Sequence, residues 1–446
     1  MGNKLFTSFD IFLIPIYFLV IYYFAQMSIR GALEVNPLYK YYLKGLVAKL
    51  LGAIAVCSIY VFYYKGGDTI GYFESSILVT KLAAFEFQTY LKIMSGDLSQ
   101  GNLFVMISNN LCCPDYYRDP QSFSVVRAVS PFVFLGSFSY FSTTLLFAYI
   151  SYAGIWRLFL LFNEMYPNME RKFVTAILYM PSLIFWGSGI LKDTITFSAA
   201  CLFTYSIYNT FIKKHKRVRN TVFLIISSFA LITVKPYIFV ALLPGAAIWL
   251  TFSRTSSIKN GFIKVAITPL ILILAFAGTS TIMGALGATL GSYNSVESAL
   301  EKAVVTKNDL TREAYGKNSF DIGTYDASIT GILSKFPVAV VAGLFRPFLW
   351  EVSNPVMLIS ALENTFLILL TLRIFFKAGP INFFSLIFKE PLLIFSFVFA
   401  IFFSFSVGLT TANFGALVRY KIPALPFYLC TLFILEKKIG VIREGK

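Results

Sequence analysis

The sequence predicts an all-α fold, a polytopic transmembrane helical bundle, on three observations. Of its 446 residues 57% are hydrophobic and only 13% charged, against roughly 25% charged in soluble domains. The apolar runs are continuous over about 20 residues, the length a spanning helix needs, and do not alternate as barrel strands do. Lys and Arg, 38 against 22 acids, sit mostly in short segments between the runs, which in such a chain is an orientation signal.

In chain order the apolar segments fall at about 8–27, 45–64, 141–163, 173–187, 190–212, 220–234, 236–252, 264–283, 354–376, 391–408 and 422–436, about 11 candidate spans by length and hydropathy. The first follows Lys4, lacks a small-residue cleavage site and leads into Arg30, so it reads as a retained span rather than a signal peptide. The densest basic cluster, Lys213, Lys214, Lys216, Arg217 and Arg219, is assigned to the cytoplasm. Alternation from there puts Arg171/Lys172, Arg254/Lys259/Lys264, Arg373/Lys377/Lys389 and the tail Lys437, Lys438, Arg443 and Lys446 inside. It puts the N-terminus and two long loops, at about 65–140 and 284–353, outside.

Two further apolar stretches, about 124–139 and 336–350, break the alternation if either alone crosses. Each carries an arginine and a proline, Arg127 with Pro131 and Arg346 with Pro347. They read as interfacial or re-entrant helices on the outer face, because intramembrane charge and irregular backbone are tolerated only against protein or water. With no clear repeat, linker or soluble domain, residues 1–446 form a single integral membrane domain.

Several chemistries lack support. A net charge of +16 would suit nucleic acid, but no basic face with stacking aromatics stands apart from the spans. Cys57, Cys112, Cys113, Cys201 and Cys430 make neither a metal pattern nor a disulfide framework. The one histidine, His215, lies in the basic cluster, which argues against histidine catalysis and histidine-rich metal sites. Walker A, G-x-G-x-x-G and G-x-S-x-G sequences are absent, so ATP-driven transport and serine-hydrolase chemistry have no motif.

The unusual charges gather on the outer side of this topology. Lys65-Gly66-Gly67-Asp68-Thr69-Ile70-Gly71-Tyr72-Phe73-Glu74 follows the second span, and Gly187-Ser188-Gly189 leads into Lys192-Asp193. Lys235 sits at a Pro236 break, Arg346-Pro347 in the second re-entrant stretch, and Arg419-Tyr420-Lys421 opens the last span. Cations grouped with one or two acids suit a phosphate-bearing substrate, Arg and Lys holding the anion and a carboxylate taking a proton from a hydroxyl. The bland readings are lysines snorkelling to headgroups at 65, 235 and 421, a structural pair at Lys192-Asp193, and a helix N-cap at Asp68.

The stretch Asp68-Thr-Ile-Gly-Tyr72-Phe73, followed by an amphipathic segment from Ser75 to Leu82, resembles the first outer loop of polytopic GT-C-type glycosyltransferases. The ending Arg419-Tyr420-Lys421-Ile422-Pro423-Ala424-Leu425-Pro426 is similar to the R-Y-x-x-P-x-x-P that opens a late span in bacterial sugar-transferring and polysaccharide-polymerising membrane proteins. The late outer loop with Asp309, Arg312, Asp321 and Asp326 is more like that of O-antigen polymerases and ligases. The resemblance implies an undecaprenyl-phosphate-linked sugar or glycan donor, used at the outer face of a bacterial cytoplasmic membrane.

It also implies roles. Asp68 would be the catalytic base, Lys192, Arg346 and Arg419 would bind the pyrophosphate, and Arg127 or Lys235 would assist, with Tyr72, Asp193 and Lys421 completing the substrate-binding set. No cofactor is required, and a divalent metal is allowed but not needed. This chain departs from the family in placing its acid after the second span, in having one acid where a pair is commoner, and in lacking the outer histidine a ligase would use. Transferase and polymerase both stay open. The rival expectations are a transporter or flippase for lipid-linked glycans, which predicts inverted repeats and midplane polar residues, and a non-catalytic membrane subunit that holds envelope-assembly partners.

Overall fold

The computed structural model describes residues 5–255, 277–278, 281, 284, 295–310 and 319–444. The regular elements among them are helices, and one isolated bridge joins Ser319 to Asn413. Among the described residues, eight helices are long and apolar enough to cross a membrane: Asp10–Val35, Pro37–Tyr64, Tyr140–Met165, Lys192–Ile212, Arg217–Val234, Pro236–Ser253, Pro355–Ala378 and Pro391–Thr410. Phe414–Tyr420 and Leu425–Val441, bent by 63° at the break between them, make a ninth if counted as one broken span. The chain is thus an all-α polytopic membrane bundle.

Two of the expected spans are not among these. The stretch 264–283 lies largely outside the described residues, as do Lys259, Lys264 and Arg312. The stretch 173–187 is broken into Glu170–Phe173, a π-helical turn at Val174–Leu178 and a separate helix Pro181–Trp186. Pro181 explains the break, since its ring offers no N–H to a preceding turn but suits the first position of a new helix.

The chain packs as two compact units. The first comprises Met1–Leu160, Leu183–Ala199 and Thr233–Lys235. In it the helix Asp68–Phe85 lies on Pro120–Leu135 along a seam of small hydroxyl residues. Ser76 Oγ donates to the Val126 carbonyl at 3.1 Å and Thr80 Oγ1 to the Ser130 carbonyl at 2.8 Å. Such residues let helices approach closely where lipid supplies no hydrophobic drive between them. A ring cluster of Tyr39, Tyr42, Tyr152, Trp156 and Phe159 fills the space between Pro37–Tyr64 and Tyr140–Met165. The helix Asp10–Val35 stands more open, with Phe12, Leu19 and Phe24 exposed as lipid-facing side chains.

The second unit comprises Leu161–Ser182, Ala200–Ile232 and Pro236–Lys446. Its core is the helix Pro391–Thr410, whose Phe395, Phe399 and Phe403 are buried and whose first two rings meet Phe427. The short apolar helix Phe336–Phe345 lies against it through two small-x-x-x-small pairs, Ala339/Gly343 and Ser404/Gly408. A Cβ at Gly343 would come within 2.0 Å of the Ser404 carbonyl oxygen, and one at Gly408 within 1.9 Å of that of Ala339.

Candidate functional site

In the first unit, the turn between the second span and Asp68–Phe85 needs Gly67. Its φ is +115°, and the Tyr60 ring would stand 2.9 Å from any Cβ there. That turn makes Asp68 the first residue of a helix, where unpaired amides favour a carboxylate. Tyr116 donates its hydroxyl to Asp68 Oδ1 at 3.4 Å, and its ring lies 4.7 Å from that of the buried Tyr72.

Tyr116 belongs to a turn closed by the Asp119 amide donating to the Tyr116 carbonyl at 2.8 Å. Asp119 caps the helix Pro120–Leu135 by accepting from the amides of Gln121 and Ser122 at 3.0 and 3.2 Å and from the Ser122 hydroxyl. Lys192 Nζ lies 3.7 Å from Asp119 Oδ2. Partial burial pushes the Asp119 carboxyl up, but the Ser122 bonds and the Lys192 charge outweigh it and hold the group below the usual carboxylate value. One tight turn therefore touches Asp68 at one end and Lys192 at the other, and such turns keep their end Cα atoms within about 7 Å.

Lys192 opens the helix Lys192–Ile207, and Asp193 beside it is buried. The Asp193 carboxylate meets Lys235 Nζ at 2.6 Å, with the two side chains 1% and 6% exposed. Lys235 therefore does not snorkel. Arg127, half-buried on Pro120–Leu135, donates through Nη1 to the Met94 carbonyl at 3.4 Å, near the end of the helix Phe87–Ser95, while its Nε is buried without a partner. A cation at those carbonyls suits a helix C-terminus.

The second unit holds Arg346, Arg419 and Lys421. Arg346 Nη2 pairs with Glu351 Oε1 at 2.9 Å, and its guanidinium lies over the rings of Phe320 and Phe348. Lys421 is fully buried, so it too fails to snorkel. Its ammonium donates to the Arg346 carbonyl at 3.0 Å, to the Leu344 carbonyl at 3.3 Å and to Asn364 Oδ1. Those carbonyls end the helix Phe336–Phe345, and Asn364 Nδ2 also donates to the Pro347 carbonyl at 3.0 Å. Lys421 is thereby a positioning residue for the Arg346 segment, its three protons all committed to protein oxygens. Arg419 lies half-buried in the last turn of Phe414–Tyr420.

Other groups were overlooked in the sequence. Lys49, 4% exposed inside the second span, donates to the Gly187 carbonyl. Its signal was a lone charge in Ala48-Lys49-Leu50-Leu51. Glu363, 8% exposed in the span Pro355–Ala378, accepts from the Ser182 amide at 2.7 Å and from its hydroxyl. Glu74, six residues beyond Asp68 on the same helix, is raised above the usual carboxylate value by partial burial and then by the charge of Asp115. Cys112 and Cys113 are bonded to each other, and Cys57, Cys201 and Cys430 are buried outside that disulfide. Among the described residues no three His, Cys, Asp or Glu side chains gather as metal ligands.

Comparison with protein-family models, with curated proteins and with solved structures finds no match to this chain.

Proposed function

We propose that this membrane protein transfers a sugar or glycan from a polyprenyl-phosphate-linked donor, as a glycosyltransferase or polysaccharide polymerase of a bacterial cytoplasmic membrane. One observation carries the reading: the turn from Tyr116 to Asp119 joins a helix-terminal carboxylate, Asp68, to a lysine, Lys192, at another helix start. A transfer needs those two groups close together. Asp68 takes the proton of the acceptor hydroxyl as its oxygen bonds to the anomeric carbon. The bond from that carbon to the carrier phosphate breaks, and the negative charge left on the phosphate goes to Lys192.

The Lys192–Asp119 pair at 3.7 Å, with Asp119 half exposed, is of the kind worth only about 0–1 kcal/mol, so a phosphate displaces Asp119 at little loss. Arg346 and Arg419, in the second unit, are separate candidates for the carrier phosphate.

The test is a reconstituted assay with undecaprenyl diphosphate-linked sugar, following release of the carrier. Asp68→Asn is expected to lower the rate by roughly 10²–10⁴, the range of general-base contributions, and Lys192→Met to raise KM. An Asp68→Asn protein with wild-type turnover rules the reading out.

A second reading, a carrier for lipid-linked glycans, is favoured by the buried Asp193–Lys235 pair, because ionisable groups inside a membrane protein are expensive and commonly mark a transport or proton path. It predicts donor movement between leaflets with no carrier release.

A further inference from the structure

The end of the second unit that carries Arg171, Lys172, Lys389, Lys437 and Lys438 holds a cavity of about 460 Å³. It lies among the turn after Met165, the helix Pro380–Phe388 and the last helix, Leu425–Glu444. Its walls are of two kinds. Leu386, Ile434 and Val441 form an apolar slot, and Lys437 and Lys438 stand beside it with Tyr166.

The two lysines differ. Lys438 lies 2.7 Å from Glu390 Oε1, and the Tyr166 hydroxyl donates to Glu390 Oε2 at 3.1 Å, so that acid is engaged on both oxygens. Lys437 instead donates to the Pro167 carbonyl, a neutral acceptor, at 3.0 Å. The acid next to it in sequence, Glu436, is held by Lys172 at 2.6 Å and lies 3.8 Å from Arg373. Among the described residues, Lys437 thus sets a positive charge beside the apolar slot that is met by a carbonyl rather than a carboxylate.

The helix Pro380–Phe388 exposes Ile381, Phe384 and Phe388 between the spans Pro355–Ala378 and Pro391–Thr410. A short helix with exposed apolar residues between two span ends lies where hydrocarbon meets headgroups, so the cavity opens at that depth. Its volume falls in the range of about 300–1,000 Å³ typical of ligand sites. A cation above an apolar slot matches a headgroup phosphate above an acyl chain. A zwitterionic headgroup fits less well, because its own cation would find Glu390 and Glu436 already paired.

We propose that this cavity binds an anionic phospholipid, its phosphate on Lys437 and its upper acyl chain against Leu386, Ile434 and Val441. The site is independent of the transfer reading.

The test titrates the full-length protein in detergent with phosphatidylglycerol, phosphatidylcholine and inorganic phosphate, following the thermal midpoint and counting retained lipid by native mass spectrometry. Phosphatidylglycerol is expected to raise the midpoint by a few degrees and to stay bound, with little effect from the other two. Lys437→Gln should abolish that shift. Val441→Trp, which fills the mouth at an exposed position, should abolish it with the lysine in place, and Lys389→Gln should keep it. Equal shifts from the two lipids, a shift with phosphate alone, or a phosphatidylglycerol shift that survives both Lys437→Gln and Val441→Trp overturns the assignment.

Discussion

The Asp193 carboxylate and the Lys235 ammonium lie 2.6 Å apart with almost no exposure to solvent. Desolvating two ions costs several kcal/mol each, and only their mutual attraction and remaining hydrogen bonds offset it. Lys235→Met strands the carboxylate and is expected to destabilise the protein by about 3–5 kcal/mol, read as a lower thermal midpoint. The double variant Asp193→Leu/Lys235→Met should recover most of that loss. Recovery of stability without recovery of activity would assign the pair to function, and recovery of both would make it purely structural.

Lys421→Met removes the donor that the Leu344 and Arg346 carbonyls and Asn364 Oδ1 share. Each buried acceptor left unsatisfied costs about 1–3 kcal/mol. Faster hydrogen exchange is expected over 344–351, with Arg346 no longer held in place. Unchanged exchange there would mean that Lys421 does not position this segment.

The seam between Phe336–Phe345 and Pro391–Thr410 has no room for a side chain at Gly343 or Gly408. Gly343→Ala and Gly408→Ala are each expected to destabilise by at least about 1–3 kcal/mol, the usual range for overpacking, since the obstacle is backbone. Gly440→Ala, in the last helix with nothing within 4 Å of its Cβ, is the control and should be neutral or gain about 0.5–1 kcal/mol. Equal midpoints for all three variants would contradict the packing.

Glu74 supplies a pH dependence. Burial and then the Asp115 charge raise its carboxyl above the ordinary value of 4.5. The folded protein therefore keeps a proton that the unfolded chain has released, and stability falls as pH rises from about 4.5 through the folded value. Asp119 acts with the opposite sign and lower down, since its folded value lies below 3.8 and its contribution disappears as pH falls through that value. Thermal midpoints from about pH 4 to 7 should decline less steeply in Glu74→Gln, and by an intermediate amount in Asp115→Asn. Identical slopes in all three proteins would exclude the effect.

The bundle was legible because apolar length and loop charge act locally, so a single sequence carries them. The stretch 173–187 misled because its mean hydropathy hides Pro181, which was itself readable as a helix start. Glu351, five residues after Arg346, and the Asp119-Pro120 helix start were also open to inspection. The burial of Lys235 and Lys421 was not. Their partners Asp193 and Asn364 lie 42 and 57 residues away, and no local pattern says that two distant helices will meet. The turn that links Asp68 to Lys192 was hidden for the same reason, because each contact to it comes from a different helix.

The seam of Ala339, Gly343, Ser404 and Gly408 also constrains the order of assembly. A ten-residue helix is about 15 Å long, half of a bilayer's roughly 30 Å hydrocarbon core, and cannot cross on its own. Phe336–Phe345 leaves the ribosome some fifty residues ahead of the helix that receives it, so it must wait at the membrane surface or in the insertion machinery. With Leu344→Cys, at a position buried in the folded protein, and the native cysteines replaced, chains truncated before Pro391 should therefore react with water-soluble thiol reagents, and chains extended past Thr410 should be protected.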